Sequence, residues 1–297
     1  MDQINLRSNH LIEEALRGFL LEDIGSGDIT SEALIPPDKR AHAQLFFREP
    51  GVAAGLREAS AILALLGCEA SLLEKDGNRV AAEKVLVEAE GPARSLLAGE
   101  RVVLNLVGHM AGIATATADI VSKAKKANSN IRVAATRKTL PGLRDIEKRA
   151  VELGGGDTHR LRLDDCVLIK DSHLELLPSI TYAVQLARQR VSFTKKIEIE
   201  VRNHEEAEEA ARAGADIIMY DNMTPASIKE SLKRLEEANL RKGCIFEASG
   251  GITAMNAAGY AETGIDVISL GSLTHSVRAL DVKLEITIGD TPRPMNR

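Results

Sequence analysis

The chain has 297 residues, which is too long for one small core and fits a large α/β unit with a smaller second domain. Hydrophobic residues make up 44% and charged residues 27%, so the composition is that of a globular protein rather than a disordered one. The net charge of −5 argues against general nucleic-acid binding, which needs a broad basic surface. We therefore expect any basic cluster to form a pocket.

The cysteines and the N-terminal segment indicate the cellular compartment in which the protein is expected. Cys68, Cys166 and Cys244 are far apart and have no CxxC spacing, so neither a disulfide framework nor a zinc site is predicted. The first 25 residues lack the basic start and continuous apolar core of a signal peptide, and no later run approaches a membrane-spanning length. We predict a cytoplasmic protein with no membrane or nucleic-acid partner.

Residues 1–112 are predicted to form a small α+β domain. An amphipathic helix is expected over residues 11–22, ending at the glycine turn "IGSGD", and a second helix over about 55–66. The runs "AHAQLFFREPGVAAG" and "KVLVEAEGPARSLL" are typical of strands broken by glycine and proline.

A longer helix is predicted from Leu97, where apolar residues recur near a 3.6-residue period. Gly108 and Gly112 on this helix would let another backbone approach closely. Arg101 follows Glu100 on the same helix, and spacing alone assigns it to a surface ion pair of little energetic value.

Beyond residue 130 the sequence alternates short apolar runs with helical segments. The runs are "IRVAATRK", "CVLIKD", "IEIEV", "ADIIMYDN", "CIFEASGG" and "DVISLGS". Six such βα units predict an α/β fold with a parallel, barrel-type domain over residues 113–275, although six strands do not complete a closed eight-stranded barrel. No helix follows the last run, "DVKLEITIGD", and we expect the segment 276–297 to return to the first domain as a strand.

Polar residues follow these predicted strands. Because the site of a parallel barrel forms at the carboxyl ends of its strands, they are expected to share one site. They are Arg137, Lys138, Lys170, Asp171, Glu200, Asp221, Asn222, Ser249, Gly250, Gly271 and Ser272.

The strand "IEIEV" carries two carboxylates on one face, Glu198 and Glu200. If the apolar face meets the helices, both point inward, where cations or a metal must compensate them. Magnesium held by Glu200 and Asp221 with a substrate's phosphates is one solution. The alternative is an ordinary ion pair with a neighbouring cation, Lys195, Lys196 or Arg202.

Glycines follow the last two predicted strands, in "ASGGIT" and "SLGSLTHS". Gly250, Gly251 and Gly271 precede predicted helix starts, where backbone N–H groups can bind a phosphate without side-chain obstruction. This pattern favours a phosphate-bearing substrate.

Several motifs in order and spacing closely resemble the quinolinate phosphoribosyltransferases, also called carboxylating nicotinate-nucleotide pyrophosphorylases. They are "TRKTLPGLRDIEKRAVELGGGDTHRLRLDDCVLIKDSH", "IEIEV", "IMYDNM", "EASGGIT" and "DVISLGSLTHS", with "EDIGSGDITS" and "GIAT" earlier in the chain. The resemblance implies a sandwich-like N-terminal domain and a partly open, TIM-like α/β barrel, in a homodimer or a multiple of dimers.

The implied activity is that of a decarboxylating pentosyltransferase of NAD biosynthesis. Quinolinate and 5-phosphoribosyl 1-pyrophosphate would react with Mg²⁺, and with no organic cofactor, to give nicotinate mononucleotide, pyrophosphate and CO₂. The positions that match the family's binding residues are Arg101, Thr136, Arg137, Lys138, His159, Arg160, Lys170, Glu200, Asp221, Ser249, Gly250, Gly251 and Gly271.

The resemblance also implies a role for members of this set. Arg137, His159, Arg160 and Lys170 match the pocket for the pyridine dicarboxylate, and Lys138 lies between it and the phosphates. Arg101 matches the arginine that reaches into the partner's site. Ser249, Gly250 and Gly271 match the 5-phosphate cradle.

The catalytic residues implied are Lys138, Lys170, Glu200 and Asp221. Inward carboxylates stabilise a cationic ribose carbon, and Glu200 and Asp221 are also the implied metal ligands. Either lysine is placed to protonate the ring carbon after CO₂ is lost. Arg144 lies beyond the turn at "LPG" and is predicted to be structural.

The chain departs from the family pattern at Ala135, Leu140 and Ser172, none of which is a charged ligand. Three rival functions remain. The first is a paralogue of the molybdenum-operon type acting on another ligand, the second is an aldolase forming a Schiff base on Lys170, and the third is a catalytically silent phosphate-binding module.

Overall fold

The computed structural model describes residues 6–288, with side chains from residue 12 onward. The chain divides into two compact units. The first comprises Met1–Thr115 and Val277–Arg297, and the second comprises Ala116–Ser276.

The secondary structure is numbered in chain order. The helices are α1 (Leu6–Ile24), α2 (Ile29–Leu34), α3 (Leu56–Leu65), α4 (Ala93–Ala127), α5 (Arg144–Leu153), α6 (Asp171–Leu174), α7 (Ile180–Arg190), α8 (His204–Ala213), α9 (Pro225–Glu237), α10 (Ala257–Ala261) and α11 (Ser272–His275). The strands are β1 (Arg40–Phe47), β2 (Gly51–Val52), β3 (Glu69–Leu72), β4 (Arg79–Val80), β5 (Val85–Pro92), β6 (Arg132–Ala134), β7 (Val167–Ile169), β8 (Ile197–Val201), β9 (Ile217–Asp221), β10 (Ile245–Ser249), β11 (Val267–Ser269) and β12 (Val282–Thr287).

The first unit contains an antiparallel sheet in the order β12-β1-β5-β3. Ala41, Ala43 and Leu45 of β1 are buried and alternate with more exposed residues, as the two-residue period of a half-buried strand requires. Helix α3 contributes buried residues such as Ile62 and Leu63. The helices match the predicted ones closely, although α1 starts earlier, at Leu6.

Helix α4 begins at Ala93, four residues before the predicted start. Gly108 and Gly112 allow the close backbone approach that was predicted: a Cβ atom would lie 3.0 Å from the Leu280 carbonyl oxygen at Gly108 and 2.3 Å from the Arg278 carbonyl oxygen at Gly112. By length and composition α4 can span a membrane, contrary to the prediction that no such run exists, but 61% of its most apolar window is buried in the protein. A core helix has this pattern.

In the second unit, the described strands form one parallel sheet in the order β6-β11-β10-β9-β8-β7. Each is followed by a helix, which confirms the predicted α/β fold with βα units. Strands β6 and β7 lie at opposite edges of the sheet, so the barrel is only partly closed. Ala134 forms a parallel bridge with Asp157, which extends the β6 edge by one short segment.

Candidate active site

Lys170 and Glu200 meet at the carboxyl ends of β7 and β8. The Lys170 Nζ atom donates a hydrogen bond to Glu200 Oε1 at 2.5 Å. The Glu200 side chain is only 13% exposed, so its carboxylate is largely removed from water and is compensated by this ammonium group. The ion pairs with Lys195, Lys196 or Arg202 that the sequence allowed are therefore wrong for Glu200.

A cluster of guanidinium groups lies beside the β6 end. Burial, together with the charges of Arg160 and Arg144, lowers the pKa of Arg137. The buried Nε–H of Arg137 has no hydrogen-bond partner in the described part of the chain. Three guanidinium groups close together repel each other, and the unsatisfied Nε–H offers a further donor, so the charge and the geometry of this cluster suit an anion.

The segment carrying Arg160 is fixed by buried and half-buried charges. The Lys148 ammonium group on α5 donates hydrogen bonds to the carbonyl oxygens of Thr158 and, at 3.4 Å, of Arg160. The Lys148 side chain is 1% exposed, and burial with the nearby Arg144 guanidinium lowers its pKa to about 8. These contacts hold the backbone on both sides of His159.

Arg144 supports the same segment from the turn after β6. Its Nε–H donates to Thr139 Oγ1 at 3.0 Å, and its Nη1–H donates to the Leu161 carbonyl oxygen at 3.2 Å. Arg144 therefore has the structural contacts that were predicted for it.

The His159 ring contacts two buried carboxylates, those of Glu198 and Glu247, which lie on strands of the sheet. Its Nε2 atom is 3.1 Å from Glu247 Oε2 and 3.6 Å from Glu198 Oε1. Burial by itself lowers the pKa of His159, but the nearby carboxylates of Glu198 and Glu247 outweigh it and raise the pKa to about 10. Burial also raises the pKa of Glu198. Glu198 thus contacts His159 rather than a neighbouring lysine or arginine.

Asp221 and the glycines lie at the ends of β9, β10 and β11. The Asn222 N–H donates to the Ser249 carbonyl oxygen at 2.8 Å, which joins the β9 and β10 ends. Gly250 has φ +91°, and a Cβ atom there would lie 2.3 Å from Asn222 Oδ1. A Cβ atom at Gly271 would lie 2.8 Å from Lys138 Cδ, so only glycine leaves this space open.

The predicted residues fall into two places. Those of the second unit lie at or just after the carboxyl ends of its strands, or on the segment bridged to β6, as the barrel prediction requires. Arg101 belongs to the first unit and is exposed on α4.

Sequence reasoning missed Glu247 and Lys148. Glu247 interrupts the apolar run "CIFEAS" in the way that Glu198 interrupts "IEIEV", and this repeated pattern is a signal for an inward carboxylate. Lys148 gave no such signal, because a lysine in a charged helix is ordinarily exposed.

Comparison with known proteins gives one consistent family. The profile of the quinolinate phosphoribosyl transferase C-terminal domain matches residues 113–285, and that of the N-terminal domain matches residues 28–111. A protein of Methanothermobacter thermautotrophicus named "Probable nicotinate-nucleotide pyrophosphorylase [carboxylating]" is 45% identical, over 92% of this chain and 98% of its own. A protein of Methanocaldococcus jannaschii with the same name is 45% identical, over 91% of this chain and 95% of its own.

Among solved structures, the crystal structure of NadC from Streptococcus pyogenes superimposes with a TM-score of 0.89 at 36% identity. The match covers 98% of this chain and all of the other. The similarity thus extends over both units.

Proposed function

Because the chain belongs to the quinolinate phosphoribosyltransferase family, we propose that it transfers the phosphoribosyl group of 5-phosphoribosyl 1-pyrophosphate to quinolinate with loss of CO₂. The products are nicotinate mononucleotide and pyrophosphate, in the synthesis of NAD. The observation that carries this proposal is the guanidinium cluster around Arg137, whose buried Nε–H lacks a partner.

Quinolinate fits this cluster by charge and by shape. The substrate brings two adjacent carboxylates, and Arg137 and Arg160 offer planar forks of N–H donors that match carboxylate oxygens. Lys170 adds a compact positive charge, and Thr136 and His159 line the same pocket. The unfavourable proximity of the guanidinium groups is relieved when the dianion binds.

The phosphoribosyl half binds at the neighbouring strand ends. Gly250, Gly251 and Gly271, with Ser249, cradle the 5-phosphate through their backbone N–H groups, and the glycines have no side chain of their own to obstruct it. Lys138 lies against Gly271, between this cradle and the dicarboxylate pocket.

The transfer step exchanges one bond to the ribose carbon for another. The bond to the pyrophosphate oxygen breaks with its electron pair on oxygen, and the quinolinate ring nitrogen forms the new bond. As positive charge develops on the ribose carbon, the carboxylates of Glu200 and Asp221 stabilise it electrostatically.

The decarboxylation step follows from the charge on the ring nitrogen. The bond between the adjacent ring carbon and its carboxylate breaks, CO₂ leaves, and the electron pair stays on that ring carbon, where the neighbouring cationic nitrogen stabilises it. This carbon then takes a proton from Lys138 or Lys170, which forms the C–H bond of the product. The substrate supplies its own electron sink, so we propose that no organic cofactor takes part.

We propose Mg²⁺ as the metal. Glu200 and Asp221 at the ends of adjacent strands offer the hard carboxylate oxygens that Mg²⁺ prefers, and the substrate's phosphates supply more. Asp221 is better suited to this role, since Glu200 Oε1 already accepts from Lys170. When bound, Mg²⁺ would stabilise the negative charge of the departing pyrophosphate.

The Lys170–Glu200 contact argues against a Schiff-base aldolase. An amine nucleophile must be free to attack a carbonyl carbon, whereas the Lys170 Nζ atom is hydrogen-bonded to the Glu200 carboxylate at 2.5 Å. Borohydride trapping with carbonyl substrates is therefore expected to leave Lys170 unmodified.

We further propose that the enzyme acts as a homodimer, or a multiple of dimers, in the cytoplasm. Arg101 is exposed on α4 in the single chain and would supply its guanidinium group to the partner's dicarboxylate pocket. The three cysteines are free, which suits a reducing compartment.

Mixing inactive subunits tests the shared site. Arg101→Ala and Arg137→Ala subunits, combined in one preparation, are expected to recover part of the activity, because each mixed dimer would contain one intact site. No recovery, with mixed dimers shown to form, would contradict a role for Arg101 in the partner's site.

The reaction itself is tested by incubating the chain with quinolinate, 5-phosphoribosyl 1-pyrophosphate and Mg²⁺. Nicotinate mononucleotide and CO₂ are expected in equal amounts, and omission of Mg²⁺ is expected to abolish both.

A further inference from the structure

His159 forms a buried cluster with Glu198 and Glu247, and these two carboxylates lie outside the set of groups that touch substrate in the proposed reaction. The two carboxylate side chains are 0% and 2% exposed, and His159 is 14% exposed. One oxygen of each carboxylate, Oε1, has no hydrogen-bond partner in the described part of the chain. Burial of carboxylate oxygens without hydrogen-bond partners is energetically unfavourable, so packing alone does not explain this cluster.

The His159 ring connects this cluster to the backbone of Arg160. The Arg160 N–H donates to His159 Nδ1 at 2.7 Å, so the ring proton of neutral His159 lies on Nε2 and points to Glu247. A second proton would have to enter at Nδ1, where the Arg160 N–H already points, so this contact opposes the effect of the carboxylates on the pKa. Nε2 carries a proton in both forms, and its hydrogen bond to Glu247 is present in both.

The backbone at His159 is held in an unfavourable conformation. His159 has φ +52°, a value that residues other than glycine rarely adopt. The Asp157 carboxylate accepts the His159 N–H at 2.8 Å, and the ring contacts fix the other side. The effect of this conformation is to place Arg160 beside Arg137.

We propose that Glu247, assisted by Glu198, is a positioning residue that acts through His159. By accepting the Nε2–H, Glu247 holds the imidazole ring, and the ring in turn fixes the Arg160 backbone so that its guanidinium group faces the dicarboxylate substrate. This inference rests on the proposed function and deepens it. According to this inference, side chains inside the barrel control the affinity for quinolinate.

Steady-state kinetics on variants at position 247 test the proposal. Glu247→Met removes the acceptor at similar size, and Glu247→Gln keeps an acceptor oxygen. We expect Glu247→Met to raise the KM for quinolinate by about tenfold to a hundredfold, the range for loss of a hydrogen bond to a charged group. The KM for 5-phosphoribosyl 1-pyrophosphate should change by less than about threefold, and Glu247→Gln should recover most of the loss. Exposed Glu237→Gln serves as the matched control.

A double-mutant cycle distinguishes action through His159 from general damage. His159→Phe keeps an aromatic ring but removes both nitrogens. If Glu247 acts through that ring, adding Glu247→Met to His159→Phe will raise the quinolinate KM no further. Additive effects, or an equal rise of both KM values in Glu247→Met, would overturn the proposal.

Ring ¹⁵N NMR of His159 gives a readout that does not depend on turnover. We expect a protonated Nε2 whose resonance shifts in Glu247→Gln, and no stoichiometric metal whose binding depends on Glu247. A resonance unaffected by Glu247→Gln would overturn the proposal, as would a bound divalent ion lost in that variant, because the three ligand atoms lie within 4.8 Å of one another. If the wild-type chain fails to consume quinolinate, the proposed function fails, whereas the NMR result still decides the hydrogen bond.

Discussion

Replacing Lys148 with methionine should change how the stability of the protein depends on pH. Lys148 is buried, and its pKa is lowered from 10.5 to about 8. Below pH 8 the amine is charged in both the folded and unfolded states, and the folded state bears the full unfavourable effect of burial. Between pH 8 and 10.5 the folded state releases a proton that the unfolded state keeps, so stability rises with pH.

The magnitude follows from the size of the shift. A pKa lowered from 10.5 to about 8 corresponds to about 3.4 kcal/mol over the whole range. Between pH 7.5 and 9.5 the wild-type free energy of unfolding should therefore gain about 2 kcal/mol relative to Lys148→Met, which has no titrating group at this position. Other titrating groups are common to both proteins and cancel in the difference.

Urea unfolding followed by circular dichroism at the two pH values measures this difference. Lys229→Met, at an exposed lysine on α9, is the matched control and should show no pH-dependent difference from wild type. If the difference between wild type and Lys148→Met is the same at both pH values, the amine is not buried in charged form and our reasoning is refuted. The variant should also raise the quinolinate KM, since the carbonyl groups beside His159 lose their donor.

Four further changes have defined outcomes. Lys170→Met should lower kcat/KM for quinolinate at least tenfold, because it removes one cation from the pocket and leaves Glu200 uncompensated; near-normal kinetics would contradict this. Gly250→Ala should raise the KM for 5-phosphoribosyl 1-pyrophosphate, since its positive φ and the adjacent side chain leave no room for a methyl group; an unchanged KM would count against the cradle. Gly112→Ala should destabilise the protein by about 1–3 kcal/mol through a backbone clash. Gly18→Ala, in a helix with open space around it, should instead stabilise by about 0.5–1 kcal/mol in the same melting assay.

The α/β fold could be predicted because its signals are local. Each strand of the second unit is a short apolar run with a polar or glycine end, and the alternation with helices fixes a parallel sheet. The extension of the sheet at its β6 edge could not be predicted, because the bridge between Ala134 and Asp157 depends on a tertiary contact. The start of α4 was also missed, since "GPARS" resembles a strand end although the helix begins at Ala93.

The residues of the candidate site were likewise only partly predictable from the sequence. Arg137, Lys170 and Glu200 were found because they end or follow strands in an otherwise apolar context. Lys148 and Glu247 are buried, and burial of a charged group is decided by neighbours distant in sequence. Spacing alone therefore predicts the polar strand ends and misses the buried charges, which depend on tertiary contacts.

The measurement that tests the central claim most directly is product formation from quinolinate, with nicotinate as the control substrate. Purified chain, 5-phosphoribosyl 1-pyrophosphate and Mg²⁺ are combined with carboxyl-labelled quinolinate, and CO₂ and nicotinate mononucleotide are quantified together. We expect equal amounts of the two products from quinolinate and far slower turnover of nicotinate. Equal use of nicotinate, or no turnover of quinolinate, would contradict the account.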